Sequence, residues 1–200
     1  MAYKDEYRAS IDSPEAFWAD KAKQLDWYKP SKNILSTDEH GIQHWFADGE
    51  LNTCHLALDF HVENGRADQT ALIYDSPVTS QQQKFTYIEL RDAVSQCAGM
   101  LRQCGVSKGD RVILYLPMIP EAVISMLACA RIGAVHSVVF GGFAAPELAQ
   151  RLDDATPVVV LTASCGIEIN RIIDYKQIVD AAFDIATHKP SACVVLQRPQ

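Results

Sequence analysis

The sequence contains no apolar run approaching the roughly 20 residues that a bilayer-spanning helix needs. Its first ten residues, MAYKDEYRAS, are charged and have no apolar core, so no secretory signal is expected. Basic residues are few: 18 Lys and Arg stand against 25 Asp and Glu, for a formal net charge of −7. Nucleic acid is therefore not expected as a partner, because neutralising its phosphates takes a basic face. A local basic cluster can still hold a small anion against the overall sign. The six cysteines (Cys54, Cys97, Cys104, Cys129, Cys165 and Cys193) form no CxxC pair, which argues against a zinc ribbon or a dithiol redox site. Cys129 lies in the apolar stretch LACARIG, as a buried free thiol would in a reducing cytoplasm. His55 and His61 are six apart and would point different ways on a helix, so no metal pair is expected. The GxGxxG, Walker lysine and Gly-x-Ser-x-Gly signatures are all missing.

What remains is ordinary globular material, 48% hydrophobic and 22% charged, in a chain long enough to bury a core. Two regions differ in character. Residues 1–65 are aromatic-rich and irregular, whereas 66–200 alternate strand and helix patterns. In the first region Ser13-Pro14-Glu15 reads as a helix start, with a side-chain cap, a first-turn proline and an acid at the positive end. Phe17, Trp18, Ala22 and Leu25 then share a face. A short strand is expected over 42–46. A second helix is expected after Thr53, with Leu56, Phe60 and Val62 inward.

In the second region, 70–74 reads as a strand and Ser80-Gln81-Gln82-Gln83 as a polar loop. Thr86-Tyr87-Ile88-Glu89 is a capping box that opens a helix carrying Leu90, Val94, Ala98 and Leu101 at helical spacing. Gly109-Asp110-Arg111 suggests a turn with an ion pair, followed by a strand over 111–116. Pro120 starts a helix that Gly133 ends. Strands over 135–140, 158–162 and 192–196 alternate with helices from Pro146 and from Tyr175. His136 is expected as a core histidine. Runs of Val, Ile and Leu separated by helices imply an α/β fold, an open and mainly parallel sheet covered by helices on both faces. Ligands of such sheets bind beyond the carboxyl ends of the strands.

Phe140-Gly141-Gly142-Phe143 falls at such a strand end. Adjacent glycines permit close backbone approach and positive φ, and the rings can stack on a planar base. The same four residues equally suit a tight strand-to-helix turn with two core phenylalanines. A second candidate is the loop Gly166-Ile167-Glu168-Ile169-Asn170-Arg171, where the arginine fork can take two phosphate oxygens. A solvated loop arginine is the alternative.

The stretch LPMIPEAVISMLACARIGAVHSVVFGGF closely resembles the corresponding segment of the AMP-forming short-chain acyl-CoA synthetases, the acetyl- and propionyl-CoA synthetases. The likeness runs from about Tyr7 to Arg198 and takes in Trp45-Phe46, Leu51-Asn52, Asp59 and His61, which it implies are structural. It implies the N-terminal part of an adenylate-forming fold, with 1–65 as an extension and 66–200 as the first part of the AMP-binding domain. It implies that Phe140, Gly141 and Gly142 line a coenzyme A site with the Phe140 ring against adenine, and that Phe143 packs inward. In acetyl-CoA synthetases the second loop has the form Gly-Val-Arg-Gly-Gly-Arg or Lys and holds coenzyme A phosphates. Arg171 matches its final basic position. Glu168 stands where the first basic residue would be, and Ile169 and Asn170 where the glycines would be. The form Glu-Ile-Asn-Arg followed by Tyr-Lys is closer to propionyl-CoA synthetases. Glu168 is then expected to contact coenzyme A or to order Arg171.

The activity implied is conversion of propionate, ATP and coenzyme A to propionyl-CoA, AMP and pyrophosphate through an acyl-adenylate, with Mg2+; acetate is the alternative acid. The Thr/Ser/Gly-rich phosphate loop, the magnesium-linked glutamate, the catalytic lysine and the acyl pocket lie further along in this family. No catalytic residue, metal ligand or tightly bound cofactor is therefore expected within these 200 residues, which alone are expected to be inactive. A cytoplasmic enzyme of small-molecule substrates, without membrane or nucleic-acid partners, is the overall expectation. A non-catalytic α/β module that binds a nucleotide or a partner is the alternative of another class.

Overall fold

The computed structural model describes residues 2–199, which divide into two compact units, one up to Asn52 and one from Thr53 onward. The first unit contains helices α1 (Tyr3–Asp12) and α2 (Pro14–Ala22) and an antiparallel pair, β1 (Leu35–Thr37) and β2 (Gln43–Trp45). Pro14 occupies the first turn of α2 as expected, but Ser13 makes no side-chain cap. Ser13 also terminates α1, its amide donating to Ala9, and this junction holds its backbone away from cap geometry. Trp18 and Leu25 are more than 40% exposed, so the expected apolar face of α2 is not buried. Order here comes from Trp27, whose indole donates to the Ala22 carbonyl at 2.8 Å and whose ring lies 5.7 Å from Phe46. Asp48 ties down residues 31–33 by accepting from the Ser31 hydroxyl and from the amides of Lys32 and Asn33.

The second unit begins with a wide-turned helical stretch, with π turns at His55–Asp59 and Val62–Arg66. Cys54 and Leu58 are the residues buried there; Leu56, Phe60 and Val62 are only half-buried. That differs from the expected inward set, because a 3.6-residue period does not describe π turns. Asp59 accepts both terminal nitrogens of Arg131, the shorter contact being 2.6 Å. β3 (Thr70–Ser76) pairs antiparallel with β4 (Gln81–Thr86). The glutamines read as a loop therefore lie in a strand. The ribbon is solvated, so its polar residues carry no burial signal, and Gln82 donates to Asp75 across it at 3.0 Å.

The capping box forms as read: Glu89 accepts from the Thr86 amide, and Thr86 accepts from the Glu89 amide. It opens α3 (Tyr87–Gln103), which buries Leu90, Val94, Ala98 and Leu101. The core is a four-stranded, wholly parallel sheet of β5 (Arg111–Tyr115), β6 (Val135–Val138), β7 (Val159–Ala163) and β10 (Ala192–Leu196), in the order β10-β7-β5-β6. The two short strands β8 (Gly166–Ile167) and β9 (Ile172–Ile173) form a separate hairpin. Helices α4 (Pro120–Ile132), α5 (Ala145–Ala155) and α6 (Tyr175–Ile185) make the crossovers. Val112, Leu114, Val159 and Leu161 pack with α3 and α4; Ile113, Tyr115 and Val160 pack with α5 and α6. Both faces are thus covered, which is why these strands read as unbroken apolar runs.

α4 starts at Pro120 and ends at Gly133 in the left-handed conformation, φ 74°. Two smaller expectations fail. Arg111 does not pair with Asp110; it donates to the Ala155 carbonyl at 2.8 Å, and Asp110 accepts from the Ser107 amide. His136 is exposed, because β6 pairs only with β5 and is an edge of the described sheet. Among the described residues no helix is long and apolar enough to cross a membrane.

Three donors hold the Asp48 carboxyl down at about 2, from an ordinary 3.8, with the Ser31 hydroxyl the leading cause. The folded value is the lower one. The tether is therefore complete above 3.8 and is lost as pH falls toward 2. An NMR titration of the Asp48 carboxyl is expected to show this low midpoint, with amide exchange at Lys32 and Asn33 accelerating over the same window. A midpoint at the ordinary carboxylate value would show that the tether does not hold.

Candidate functional site

The chain leaves β5 toward one side of the sheet and β7 toward the other, so the carboxyl ends of these two strands form the switch point where crossover loops diverge. The Thr162 hydroxyl of β7 donates to the Tyr115 carbonyl at 2.8 Å across that point. Tyr115, the last residue of β5, is fully buried. A buried phenol needs an acceptor, and its hydroxyl finds the carbonyls of Phe143 at 2.8 Å and Gly141 at 3.3 Å. The Phe140–Phe143 turn is thereby fastened above the end of β5. Burial, with a smaller contribution from neighbouring Tyr175, pushes the Tyr115 phenol up to about 12, so it remains a donor at neutral pH.

The turn closes with the Phe143 amide donating to the Phe140 carbonyl at 3.0 Å. Phe140 is 73% exposed, a large apolar ring offered to solvent. Phe143 packs inward on the α5–α6 side, with the Arg151 guanidinium 4.7 Å from its ring centre. Neither Gly141 nor Gly142 has a positive φ, contrary to the conformational reading of the pair. Gly141 is required for space, because its neighbour Tyr175 is buried, whereas the exposed Phe140 ring beside Gly142 can turn aside. A Cβ on Gly141 would lie 2.0 Å from the Tyr175 hydroxyl oxygen, and one on Gly142 would lie 2.5 Å from the Phe140 ring.

The second candidate loop is the tip of the β8–β9 hairpin. Glu168 and Arg171 face each other across it, Arg171 Nε donating to Glu168 at 2.7 Å and the Glu168 amide to the Arg171 carbonyl at 2.9 Å. Both side chains are at least half exposed, so the pair contributes little to stability. It does aim the guanidinium and leaves its two terminal nitrogens as donors. The hairpin joins the rest of the site through Gly166, where a Cβ would meet the Tyr175 ring at 2.7 Å. One tyrosine thus abuts both candidate loops. Ile167 and Arg198 also line a neighbouring cleft of about 420 Å3, with Tyr74, Gln83, Glu121 and Pro199. Arg198 itself donates to the Cys165 carbonyl at 3.1 Å.

Tyr115 and Tyr175 are the organising residues that sequence reading misses, since one reads as a strand end and the other as a helix start. The available signal is the coincidence of a strand-terminal tyrosine with two glycine loops, which becomes specific only when the loops are known to meet. Among the described residues no three His, Cys, Asp or Glu are grouped as a metal site requires. What this surface offers is an exposed ring, close backbone approach and one oriented guanidinium, the parts needed to hold a base and a phosphate.

Comparison with known proteins bears on the family and the fold. Residues 59–199 match the family model of the AMP-binding enzymes, and residues 3–57 match the acetyl-coenzyme A synthetase N-terminus. The mitochondrial acyl-CoA synthetase short-chain family member 3 of Homo sapiens is 48% identical over 197 residues, 98% of this chain and 29% of its own. The propionate–CoA ligase of Escherichia coli is 43% identical over 198 residues, 99% of this chain and 31% of its own. The acetoacetyl-CoA synthetase from Streptomyces lividans superposes with a TM-score of 0.81 at 27% identity, over 98% of this chain and 32% of that one. The chain spans about a third of the length of these relatives.

Tyr115→Phe removes the donor to the Phe143 carbonyl and is expected to lower unfolding stability by about 1 kcal/mol, measured by denaturant titration. The native phenol has the higher pKa in the folded state. The difference between the two proteins is therefore constant below the ordinary value of 10 and shrinks as pH rises toward 12.

Proposed function

This chain belongs to the AMP-binding enzyme family, and on that premise we propose that the whole protein is an AMP-forming propionate–CoA ligase. The propionate carboxylate attacks the α-phosphate of ATP to give propionyl-AMP and pyrophosphate. The thiol of coenzyme A then displaces AMP, forming the thioester. The Escherichia coli relative named for propionate supports the choice of acid, as does the Glu168-Ile169-Asn170-Arg171 loop. ATP and Mg2+ are the further requirements proposed. Residues 66–200 are read as the opening part of the AMP-binding domain and 1–65 as the extension ahead of it. Alone, these 200 residues are proposed to carry out neither half-reaction. Six free cysteines favour a reducing compartment, and the cytoplasm is the one proposed.

The role proposed for this region is to receive coenzyme A. The observation that carries it is that Gly141 of the turn and Gly166, at the base of the hairpin that bears Glu168 and Arg171, both lie against Tyr175. Phe140 offers a face for adenine, Gly141 and Gly142 admit the ligand close to the backbone, and Arg171 takes a phosphate through the nitrogens that Glu168 leaves available. Glu168 acts by orienting Arg171. The carboxylate also limits how strongly the loop attracts other anions, so the site favours a ligand that brings an aromatic base as well as a phosphate.

In the full-length protein, Arg171→Ala is expected to raise the KM for coenzyme A about tenfold, equivalent to about 1.4 kcal/mol. Propionate-dependent ATP–pyrophosphate exchange, which needs no coenzyme A, is expected to stay near normal. Phe140→Ala is expected to behave in the same way, since an exposed ring is removed at little cost to packing. Equal loss of both half-reactions in either variant would remove that residue from the coenzyme A site. Activity with acetate in place of propionate, at equal or higher kcat/KM, would overturn the choice of acid.

A further inference from the structure

We propose that Tyr175 is a positioning residue whose ring sets the two coenzyme A loops at a fixed separation; this rests on the coenzyme A reading above. The ring is 5% exposed and lies 4.9 Å, centre to centre, from that of Tyr115. Its hydroxyl end lies against Gly141: a Cβ there would be 2.0 Å from Oη and 2.8 Å from Cζ. Its ring edge lies against Gly166, where a Cβ would be 2.7 Å from Cε1 and 3.1 Å from Cζ. No real Cβ tolerates such distances, so both glycines are occupied by one side chain. The turn and the hairpin are held apart by the width of a phenol ring.

The ring is itself fixed. Tyr175 is the first residue of α6, whose N-cap Asp174 accepts from the Gln177 amide at 3.0 Å. Val179 and Ala182 bury the same helix against β7 and α5. The neighbouring Tyr115 hydroxyl donates to the carbonyls of Phe143 and Gly141. The turn is therefore held to the end of β5 by a hydrogen bond, while the Tyr175 ring limits how closely Gly141 approaches. The base of the hairpin is tied to Arg198 through the Cys165 carbonyl, and the Tyr175 ring limits how closely Gly166 approaches the turn. A ligand that engages Phe140 with its base and Arg171 with its phosphate must match that distance.

The geometry makes a selective prediction, because the nearest Tyr175 atom differs between the two glycines: Oη for Gly141 and Cε1 for Gly166. In the full-length protein, Gly141→Ala places a methyl against Oη, and Gly166→Ala places one against Cε1. Tyr175→Phe deletes Oη and keeps Cε1. Gly141→Ala and Gly166→Ala are each expected to raise the KM for coenzyme A about tenfold or more, with pyrophosphate exchange held within about twofold. Adding Tyr175→Phe is expected to recover part of the loss in Gly141→Ala, whose closest contact it removes, and little of the loss in Gly166→Ala, whose closest contact at Cε1 it keeps.

Recovery in both backgrounds, or in neither, overturns the assignment of Tyr175. A selective recovery seen only in melting temperature, with the coenzyme A KM unchanged throughout, shows that the contact is real and that the coenzyme A reading of these loops is wrong. Should the alanine variants fail to fold, Tyr175→Leu supplies the test. It keeps apolar volume and removes the ring, and it is expected to raise the KM for coenzyme A while leaving exchange intact. An unchanged KM in that variant overturns the proposal.

Discussion

The arrangement depends on β5. Its residues from Val112 to Tyr115 are buried on both faces, so its backbone polar groups have only neighbouring strands as partners. Parallel pairing with β6 on one side and β7 on the other meets that requirement. It also forces crossover helices onto both faces and brings all four carboxyl ends to one edge of the sheet. Because β5 ends in a tyrosine, its last side chain must find an acceptor at that edge. The carbonyls of the glycine turn are what it finds. The position of the candidate site is thus a consequence of satisfying one buried strand and its terminal hydroxyl.

Space rather than backbone conformation explains the site glycines. Gly133 shows the ordinary use, a helix ended by a left-handed residue. Gly141, Gly142 and Gly166 follow a different logic: none has a positive φ, and each lies where an aromatic ring fills the room a side chain would need. The aromatic residues in turn divide their work by burial. Tyr115 and Tyr175 are enclosed and support the loops, whereas Phe140 faces outward and is available to a ligand. Arg171 and Glu168 form an exposed pair that orients charge more than it stabilises the fold.

The same relationship of sequence to burial explains which local readings hold. The capping box at Thr86 and Glu89, the proline start and glycine stop of α4, and the inward set of α3 are decided within one or two helical turns, and they form as read. Gln81 to Gln83 are missed as strand because a solvated ribbon gives no alternating burial. Leu56 and Phe60 are placed inward by a period that the π turns do not follow, so Cys54 and Leu58 take the core instead. His136 is read as core on the assumption that every strand of a parallel sheet is central, but β6 is an edge of the described sheet.

By itself the sequence determined the α/β class, the order of the four main-sheet strands and of the helices from Thr86 onward, though not the β8–β9 hairpin, together with the six unpaired thiols and the two loops that carry the candidate site. These follow from hydrophobic period, caps and turn residues, which are local properties. Tertiary structure alone decided that the strands run β10-β7-β5-β6, that the Tyr115 hydroxyl reaches the glycine turn, and that one ring, Tyr175, abuts both Gly141 and Gly166. The contacts of Tyr115 and Tyr175 with the glycine turn join residues 26 to 34 positions apart, and Tyr175 also reaches back nine positions to Gly166 across the hairpin. No local pattern encodes them, because they exist only once the crossover helices have packed on both faces of the sheet.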